Sequence, residues 1–237
     1  MKKKMLSQEA LKIIACVTMF IDHFGHAIVP CLPIPNMETV YYICRCIGRI
    51  AFPIYCFLLC EGMAKTRDPG KYILRLGIGM LLSELPFDIL FEGGFSWESQ
   101  SVMVTLTLGA VMLLCMQKTE KKGLKLLLVL PFALLAQFAK CDYGAGGIVM
   151  IAVFALFNRL SLQTAALFLV NWQLLPSAAI IVFGTVVIIQ LLATFAMVPI
   201  ALYSGRKLTH NKAIQWGFYL FYPVHLLILR ILLLCMM

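Results

Sequence analysis

Asp22, His23 and His26 lie inside the first long apolar segment of the chain, residues 11–29. A charged group near the centre of a bilayer costs at least about 3 kcal/mol, so ionisable residues in such a segment normally face the protein interior and mark a functional site. Asp22 and His26 are four residues apart and share a helix face, and His23 lies close to that face. An imidazole oriented by a carboxylate can take a proton from a hydroxyl or an amine. We therefore predict that His23 is a general base, with Asp22 beside it.

Two further charge pairs lie in the apolar segments that follow. Arg45 and Arg49 are four residues apart in the second segment, and Glu84 and Asp88 are four apart in the third. With the basic loops on the cytoplasmic side, both pairs fall in the outer half of the membrane, at the depth of Asp22. Opposite charges at one depth can pair and so avoid the cost of a lone buried charge. We predict one cluster, in which Arg49 holds a developing oxyanion or the donor.

Other polar residues of the outer half are predicted to support this cluster. The supporting residues are His26, Arg45, Glu84, Asp142, Tyr143 and His225. His225 follows a proline in the last apolar segment, and Asp142 and Tyr143 open the sixth segment at its outer end. The alternative is that these groups are satisfied polar residues that only join helices.

A basic cluster stands at the other end of the third apolar segment. Arg67, Lys71 and Arg75 surround its start, close to Glu61. Basic residues near a helix N-terminus are suited to binding phosphates. We therefore predict that this cluster binds the phosphates of a donor substrate. The alternative is that these cations only set the topology of the chain.

The composition indicates a polytopic helical membrane protein. The chain of 237 residues is 62% hydrophobic and 13% charged, against about 45–50% and about 25% in soluble domains. The net charge of +9 is concentrated in short loops, which is the positive-inside bias of a membrane protein and not a nucleic-acid surface. The nine cysteines show no metal-ligand spacing, so we predict no metal site. No signal-peptide cleavage site is expected.

The expected fold is an all-α transmembrane bundle that forms one domain over residues 1–237, a multi-pass protein of a bacterial cytoplasmic membrane. About 20 apolar residues make one span. The nine predicted spans are residues 9–29, 40–62, 71–91, 101–117, 123–140, 144–159, 161–175, 177–203 and 213–235. The Lys2–Lys4 cluster indicates a cytoplasmic N-terminus. Two crossings are predicted over residues 161–203, because the flanking basic groups lie on one side and Pro176 divides the apolar run.

Four blocks of the sequence resemble the signature blocks of the TraX family, in the same order and over nearly the whole chain. The blocks are LKIIACVTMFIDHFGH, GRIAFPIYCFLLCEGMAKTRDPGKYILRL, CDYGAGGI and WGFYLFYPVHLLIL. The family is named for an enzyme that N-acetylates conjugative pilin, and it is similar to acyltransferase family three and the lysosomal heparan acetyltransferase. The resemblance implies an acyl-CoA donor, acetyl-CoA first, and an acceptor reached from the far side of the membrane.

The resemblance also implies roles for individual residues. It implies that His23 is the catalytic histidine of the first span. The positions that match supporting roles are Asp22, Arg49, Glu61, Arg75, Asp142, Tyr143 and His225. The acceptor stays open between a pilin-like peptide, a glycan and a small molecule, and membrane lipids surround the chain.

The residues and the resemblance together favour an acetyl-CoA-dependent O- or N-acetyltransferase. Direct transfer to the acceptor is favoured, because no well-placed nucleophilic cysteine or serine is evident. The alternative is a proton-coupled transporter of a small molecule, since buried histidines and carboxylates also relay protons. A transporter would more commonly show two similar halves with interrupted helices, which the sequence does not show. A third hypothesis is an assembly protein whose buried charges only fix helix register.

Overall fold

The computed structural model describes residues 5–175, 179–182, 185–209 and 211–236. The chain is mostly helical, as predicted. The helices are α1 (Gln8–Ala27), α2 (Met37–Gly48), α3 (Ala51–Lys65), α4 (Pro69–Phe91), α5 (Val102–Gln117), α6 (Lys122–Phe138), α7 (Gly144–Leu156), α8 (Leu160–Gln173), α9 (Met197–Ala201) and α10 (Lys212–Met236). The strands are β1 (Ala179–Val182) and β2 (Thr185–Ile188).

Three helical stretches of the described chain are long and apolar enough to cross a membrane. They are Gln8–Cys31, Met37–Lys65 and Ala213–Met236. The helical part of the fold prediction is therefore confirmed, while the count of nine spans and the cytoplasmic N-terminus stay predictions. Lys2–Lys4 and Pro176, on which part of that topology depends, lie outside the described residues.

The first helix begins at a side-chain cap and carries the residues singled out above. The Ala10 N–H donates to Ser7 Oγ at 3.1 Å, and Glu9 lies in the first turn of α1, where a negative charge is favourable. Asp22 is buried on this helix, whereas His26 near its end is exposed. The helix therefore presents one ionisable residue to the core and another to its surroundings.

The second predicted span is divided into two helices. α2 ends at Gly48 and α3 begins at Ala51, so Arg49 lies in the break between them. Gly48 must be glycine, because a Cβ added there would overlap the Asp22 side chain. At Gly25 of α1, an added Cβ would likewise overlap the Cys44 side chain of α2. The two helices thus pack closely enough to bring Arg49 beside Asp22.

The predicted helix over residues 177–203 is wrong in its first half. β1 and β2 form an antiparallel hairpin, with Ala179 paired to Ile188. A 3-10 turn over Ile189–Ala196 and the short α9 follow. The physical reason is the β-branched composition of the strand residues, which favours extended backbone although their hydropathy is that of a span.

One end of the bundle is held together by the chain's N-terminal segment. The N–H groups of Met5 and Leu6 donate to the Leu202 carbonyl at 3.0 Å, and the Ser204 N–H donates to the Leu6 carbonyl at 2.8 Å. We call this the basic end, defined by Lys12, Lys65, Arg75 and Lys207. The opposite end, defined by Asp22, His23, Arg45, Arg49 and His225, is called the histidine end.

Candidate active site

Two histidines from the first and last helices contact each other at the histidine end. His23 Nδ1 lies 2.7 Å from His225 Nε2, and the two rings stack with their centroids 5.0 Å apart. His225 Nδ1 lies 2.8 Å from the carbonyl oxygen of Phe221. His225 is buried, and α10 packs against α1. The site is therefore formed by residues that are 202 positions apart in the chain.

These contacts assign the tautomer of both rings. A carbonyl oxygen can only accept, so His225 Nδ1 carries the proton and its Nε2 is the acceptor. His23 Nδ1 must then donate, which leaves the lone pair of His23 on Nε2. Within the described chain, neither nitrogen of His23 is bonded to a carboxylate. The predicted carboxylate partner is therefore wrong, because His225 takes that position while Asp22 bonds elsewhere.

Asp22 is held between two arginines of the break between α2 and α3. Arg45 Nη1 donates to Asp22 Oδ2 at 2.8 Å. Arg49 Nη2 lies 2.8 Å from both carboxylate oxygens of Asp22. The Asp22 residue is only 8% exposed, so its charge would be costly alone, and the two arginines offset that cost. The predicted pairing of opposite charges thus occurs, with Asp22 as the anion.

Arg49 is more fully occupied than Arg45. Its Nε donates to the Arg45 carbonyl at 3.2 Å and its Nη1 to Gln190 Oε1 at 3.4 Å. With the bonds to Asp22, at least three of the five guanidinium N–H groups are engaged. The Arg45 side chain is 24% exposed against 13% for Arg49. Of the two, Arg45 is therefore the better placed to bind an added anion.

Glu84 and Asp88 lie on α4 but bond to the segment that precedes α5. The Ser101 hydroxyl donates to Glu84, and the Ser96 N–H donates to Asp88 Oδ2 at 3.2 Å. Neither carboxylate forms an ion pair with an arginine among the described residues. Their observed contacts therefore fix a loop at the histidine end and do not extend the arginine cluster.

The remaining predicted residues lie around this cluster. The charge of Arg49 interacts with Asp142 and Tyr143. The Tyr143 ring stacks on Phe52 at 3.7 Å between centroids, and Asp142 is exposed. His26 is exposed as well; its Nδ1 lies 3.4 Å from the Tyr41 hydroxyl, and its ring lies 5.4 Å from that of Phe91 between centroids. Asp142 and Tyr143 therefore belong to the surroundings of the arginines, while His26 stands outside the histidine pair.

A cavity of about 630 Å³ leads from the basic end toward the histidines. The Lys12, Arg75 and Lys207 side chains line its outer part, together with Glu61 and Lys65. Glu61 and Lys65 pair with each other. The other three cations form no ion pair with any residue that the structure describes, so their charges are free to bind an anion from outside.

The deep part of the cavity is apolar and aromatic. It is lined by Met19 of α1, Tyr55 of α3, Val102 of α5 and Tyr222 of α10. The Tyr222 ring makes edge contacts with both histidines, 6.0 Å from His23 and 5.4 Å from His225 between centroids. One aromatic side chain thus lies between the cavity and the histidine pair.

Comparison with known proteins identifies the family. A family model described as TraX protein matches residues 7–233. The chain belongs to the TraX family. It is also similar to a probable fimbrial assembly protein FimC, serogroup H1, of Dichelobacter nodosus, which is 27% identical over 231 residues and is covered over 92% of each chain. No solved structure gives a significant match.

The four residues predicted for donor binding, three basic and one acidic, separate into two groups in this TraX family chain. Arg75 and Glu61 line the cavity. Lys71 pairs with Asp68 at 3.1 Å, and Arg67 is exposed. Neither Lys71 nor Arg67 lines the cavity, so the prediction that they bind the donor finds no support in the geometry.

Sequence reasoning missed several residues that complete the site. Lys12 and Lys207 line the mouth, although they lie far from the cluster that was recognised. The Gln190 side-chain amide donates to Asn171 Oδ1 at 2.9 Å, and both residues are buried in apolar segments. A side-chain amide in an apolar segment was the sequence feature that could have pointed to these two residues. Tyr222 gave no signal, because an aromatic residue in a membrane helix is ordinary.

Proposed function

We propose that this protein is an integral-membrane acyltransferase that moves an acetyl or other short acyl group from acyl-CoA to an amine or hydroxyl acceptor. The donor enters at the basic end, and the acceptor is reached from the histidine end. The observation that carries the proposal is the hydrogen-bonded series Phe221 carbonyl–His225–His23, which leaves His23 Nε2 as a fixed proton acceptor.

The chemistry assigned to His23 is general-base catalysis. His23 Nε2 takes the proton from the acceptor as its nitrogen or oxygen attacks the thioester carbonyl. The carbon–sulfur bond breaks, CoA leaves as its thiolate, and the proton then passes to that thiolate. His225 holds the His23 ring in the tautomer that the step requires, which is a role often filled by a carboxylate. Arg45, the more exposed of the two arginines bound to Asp22, has spare donors for the developing oxyanion.

The donor assignment is supported by the charges at the basic end. Lys12, Arg75 and Lys207 converge on one cavity without carboxylate partners in the described chain. Phosphate groups of an acyl-CoA are anions that would complete such a set, and an arginine can bind phosphate through two N–H groups. The excess of basic residues also favours a cytoplasmic location for this end, where acyl-CoA is available.

The same hydrogen bonds count against proton-coupled transport. A proton relay needs a donor–acceptor series that continues from one side to the other. The observed series ends at the Phe221 carbonyl. A carbonyl oxygen accepts a hydrogen bond but has no proton of its own to pass to a further group. This arrangement supports a fixed base over a proton wire, and we rank the acyltransferase first for that reason.

The acceptor class is a further part of the proposal. The similar Dichelobacter nodosus protein is described as a probable fimbrial assembly protein. We therefore place a pilin-like peptide first among the acceptors to be tested, ahead of a glycan or a small molecule. The exposed Asp142 and the half-buried Arg45 lie at the end from which such an acceptor would approach.

The test is acyl transfer by the purified protein in nanodiscs. Labelled acetyl-CoA would be supplied with pilin peptides, cell-wall glycan or a small-molecule extract in separate reactions. Free CoA and labelled product would both be measured, with a folded His23→Ala variant alongside. We expect acceptor-dependent CoA release that the variant loses. A folded wild-type protein that neither binds acetyl-CoA nor releases CoA with any acceptor would overturn the proposal.

A further inference from the structure

The closed end of the donor cavity is formed by one ring on α10. Along α1 the cavity lining runs from Gln8 to Met19, which corresponds to a depth of about 16 Å at the helical rise per residue. Tyr222 lines the cavity at the matching depth on α10 and is only 4% exposed. A linear donor that enters acyl-first, with its phosphates held at Lys12 and Arg75, would therefore carry its acyl group toward Tyr222.

The Tyr222 ring is held in place by several contacts. The ring packs edge-to-face against the His23 and His225 rings, with interplanar angles of 82° and 79°. The residue is buried, so neighbouring side chains surround the ring on its other sides. The ring is thus a fixed wall and not a mobile side chain.

We infer that Tyr222 sets the length of the acyl group that the enzyme transfers. This inference rests on the proposed function. An acetyl group is smaller than a butyryl or hexanoyl group, so it lets the thioester carbonyl come closest to the ring and to the histidine pair that the ring contacts. Each added methylene must either overlap the ring or push the thioester back toward the basic end, away from the base. The substrate class is therefore short-chain acyl-CoA, and Tyr222 is the specificity-determining residue.

The expected selectivity follows from the packing of a single ring against the acyl chain. One methylene in a hydrophobic pocket changes kcat/KM by about 10- to 200-fold. We expect wild-type protein to favour acetyl-CoA over butyryl-CoA by at least about tenfold in kcat/KM. Removing the ring opens space next to Met19 and Val102, which are both apolar. The variant should then accept the longer chain, a gain that loss of stability cannot produce.

The experiment measures kcat/KM for acetyl-, butyryl- and hexanoyl-CoA with nanodisc protein and one acceptor. Tyr222→Ala should raise the ratio of butyryl- to acetyl-CoA by about tenfold or more. Tyr222→Leu is a second variant with less loss of volume and should give a smaller rise. Tyr222→Phe keeps the ring and should keep the wild-type ratio. Tyr219→Ala is the matched control, because Tyr219 lines the same cavity nearer its mouth; its ratio should not change.

The outcomes separate this inference from the proposed function. Wild-type turnover of acetyl-CoA supports the function whatever the variants do. An unchanged ratio in folded, active Tyr222→Ala and Tyr222→Leu would overturn the inference alone, as would a wild-type preference for hexanoyl-CoA. Absence of turnover with every acyl-CoA would overturn both.

Discussion

The two ends of the bundle treat their buried charges in opposite ways. At the histidine end, the Asp22 carboxylate is bonded to Arg45 and Arg49 at 2.8 Å. At the basic end, Lys12 lies over the Phe218 ring at 5.0 Å and Arg75 over the Tyr72 ring at 5.9 Å. Aromatic faces partly compensate a cation but do not neutralise it. The arginines at the histidine end therefore share a carboxylate, whereas Lys12 and Arg75 have none among the described residues.

Under the proposed function, this difference is the one between a preorganised catalytic site and a donor-binding site. Charges that are already paired at fixed distances cannot be rearranged cheaply, which suits groups that must hold a reacting atom in place. Unpaired cations around a cavity gain most when a ligand brings the missing negative charge. The Arg75 Nε is buried without a hydrogen-bond partner among the described residues, so this guanidinium keeps at least one N–H that a ligand could bind.

The largest expected effect belongs to the base. His23→Ala should lower kcat for acyl transfer by about 10²- to 10⁴-fold in protein that still folds, which is the usual contribution of a positioned general base. His26→Ala is the comparison, because His26 is on the same helix but outside the histidine pair; its loss should be at most about tenfold. Rates with purified, folded variants test this. Equal losses in both variants would remove the distinction between the two histidines.

The second effect concerns stability at the histidine end. Asp22→Ala leaves two partly buried guanidinium groups without their anion, so it should destabilise the protein by about 3–5 kcal/mol. Lys140→Ala is the control, since the Lys140–Glu98 pair at 2.9 Å has side chains that are 53% and 77% exposed. Exposed pairs contribute about 0–1 kcal/mol. Unfolding in mixed micelles measures both, and a Lys140→Ala effect as large as that of Asp22→Ala would contradict the argument.

The third effect separates binding from chemistry at the basic end. Arg75→Gln should raise KM for acetyl-CoA by about tenfold, with a smaller change in kcat, because it removes one cation that faces the donor phosphates. Arg67→Gln, an exposed arginine outside the cavity, should change KM less than about twofold. Added salt should raise the wild-type KM. An Arg75→Gln variant that loses kcat at unchanged KM would place Arg75 in the chemistry instead.

Much of this fold could be predicted from local pattern. Apolar segments of span length gave most helices of the described chain, since a backbone in lipid must satisfy its own hydrogen bonds. The hairpin at Ala179–Ile188 was missed, because hydropathy cannot separate a buried strand from a helix when the residues are β-branched. The break at Arg49 was missed for a similar reason, because a turn between two apolar helices leaves the hydropathy of the segment unchanged.

The site could be predicted in its residues but not in its pairings. His23, Asp22, Arg49 and His225 were recognised as costly in an apolar segment. Which of them touch depends on how α1 and α10 pack, and helical spacing gives no information on that. His23 was expected to bond to a carboxylate, and it bonds to His225 instead. Lys12 was overlooked because only the folded bundle brings it to the mouth beside Arg75.

The smallest expected effect concerns Asp68, a carboxylate at the basic end. Its one likeness to Asp22 is that it has a cationic neighbour. Asp68 caps α4: the Lys71 N–H donates to Asp68 Oδ1 at 3.0 Å, and the Lys71 ammonium lies 3.1 Å from Oδ2. Asp68→Asn keeps a side-chain oxygen for the cap and removes the charge. We expect the melting temperature at neutral pH to fall by no more than about 2 °C, with donor kinetics unchanged.

The pH dependence of this small effect has a definite sign. The hydrogen bond from the Lys71 N–H lowers the pKa of the Asp68 carboxyl below its ordinary value of 3.8. A carboxyl whose pKa is lower in the folded protein stabilises the fold above its ordinary pKa and loses that contribution as the pH falls through the folded pKa. The gap between wild type and Asp68→Asn should therefore be constant near neutral pH and close below 3.8. Melting curves across this range measure it, and a gap that widened on acidification would show that the Asp68 charge does not stabilise α4.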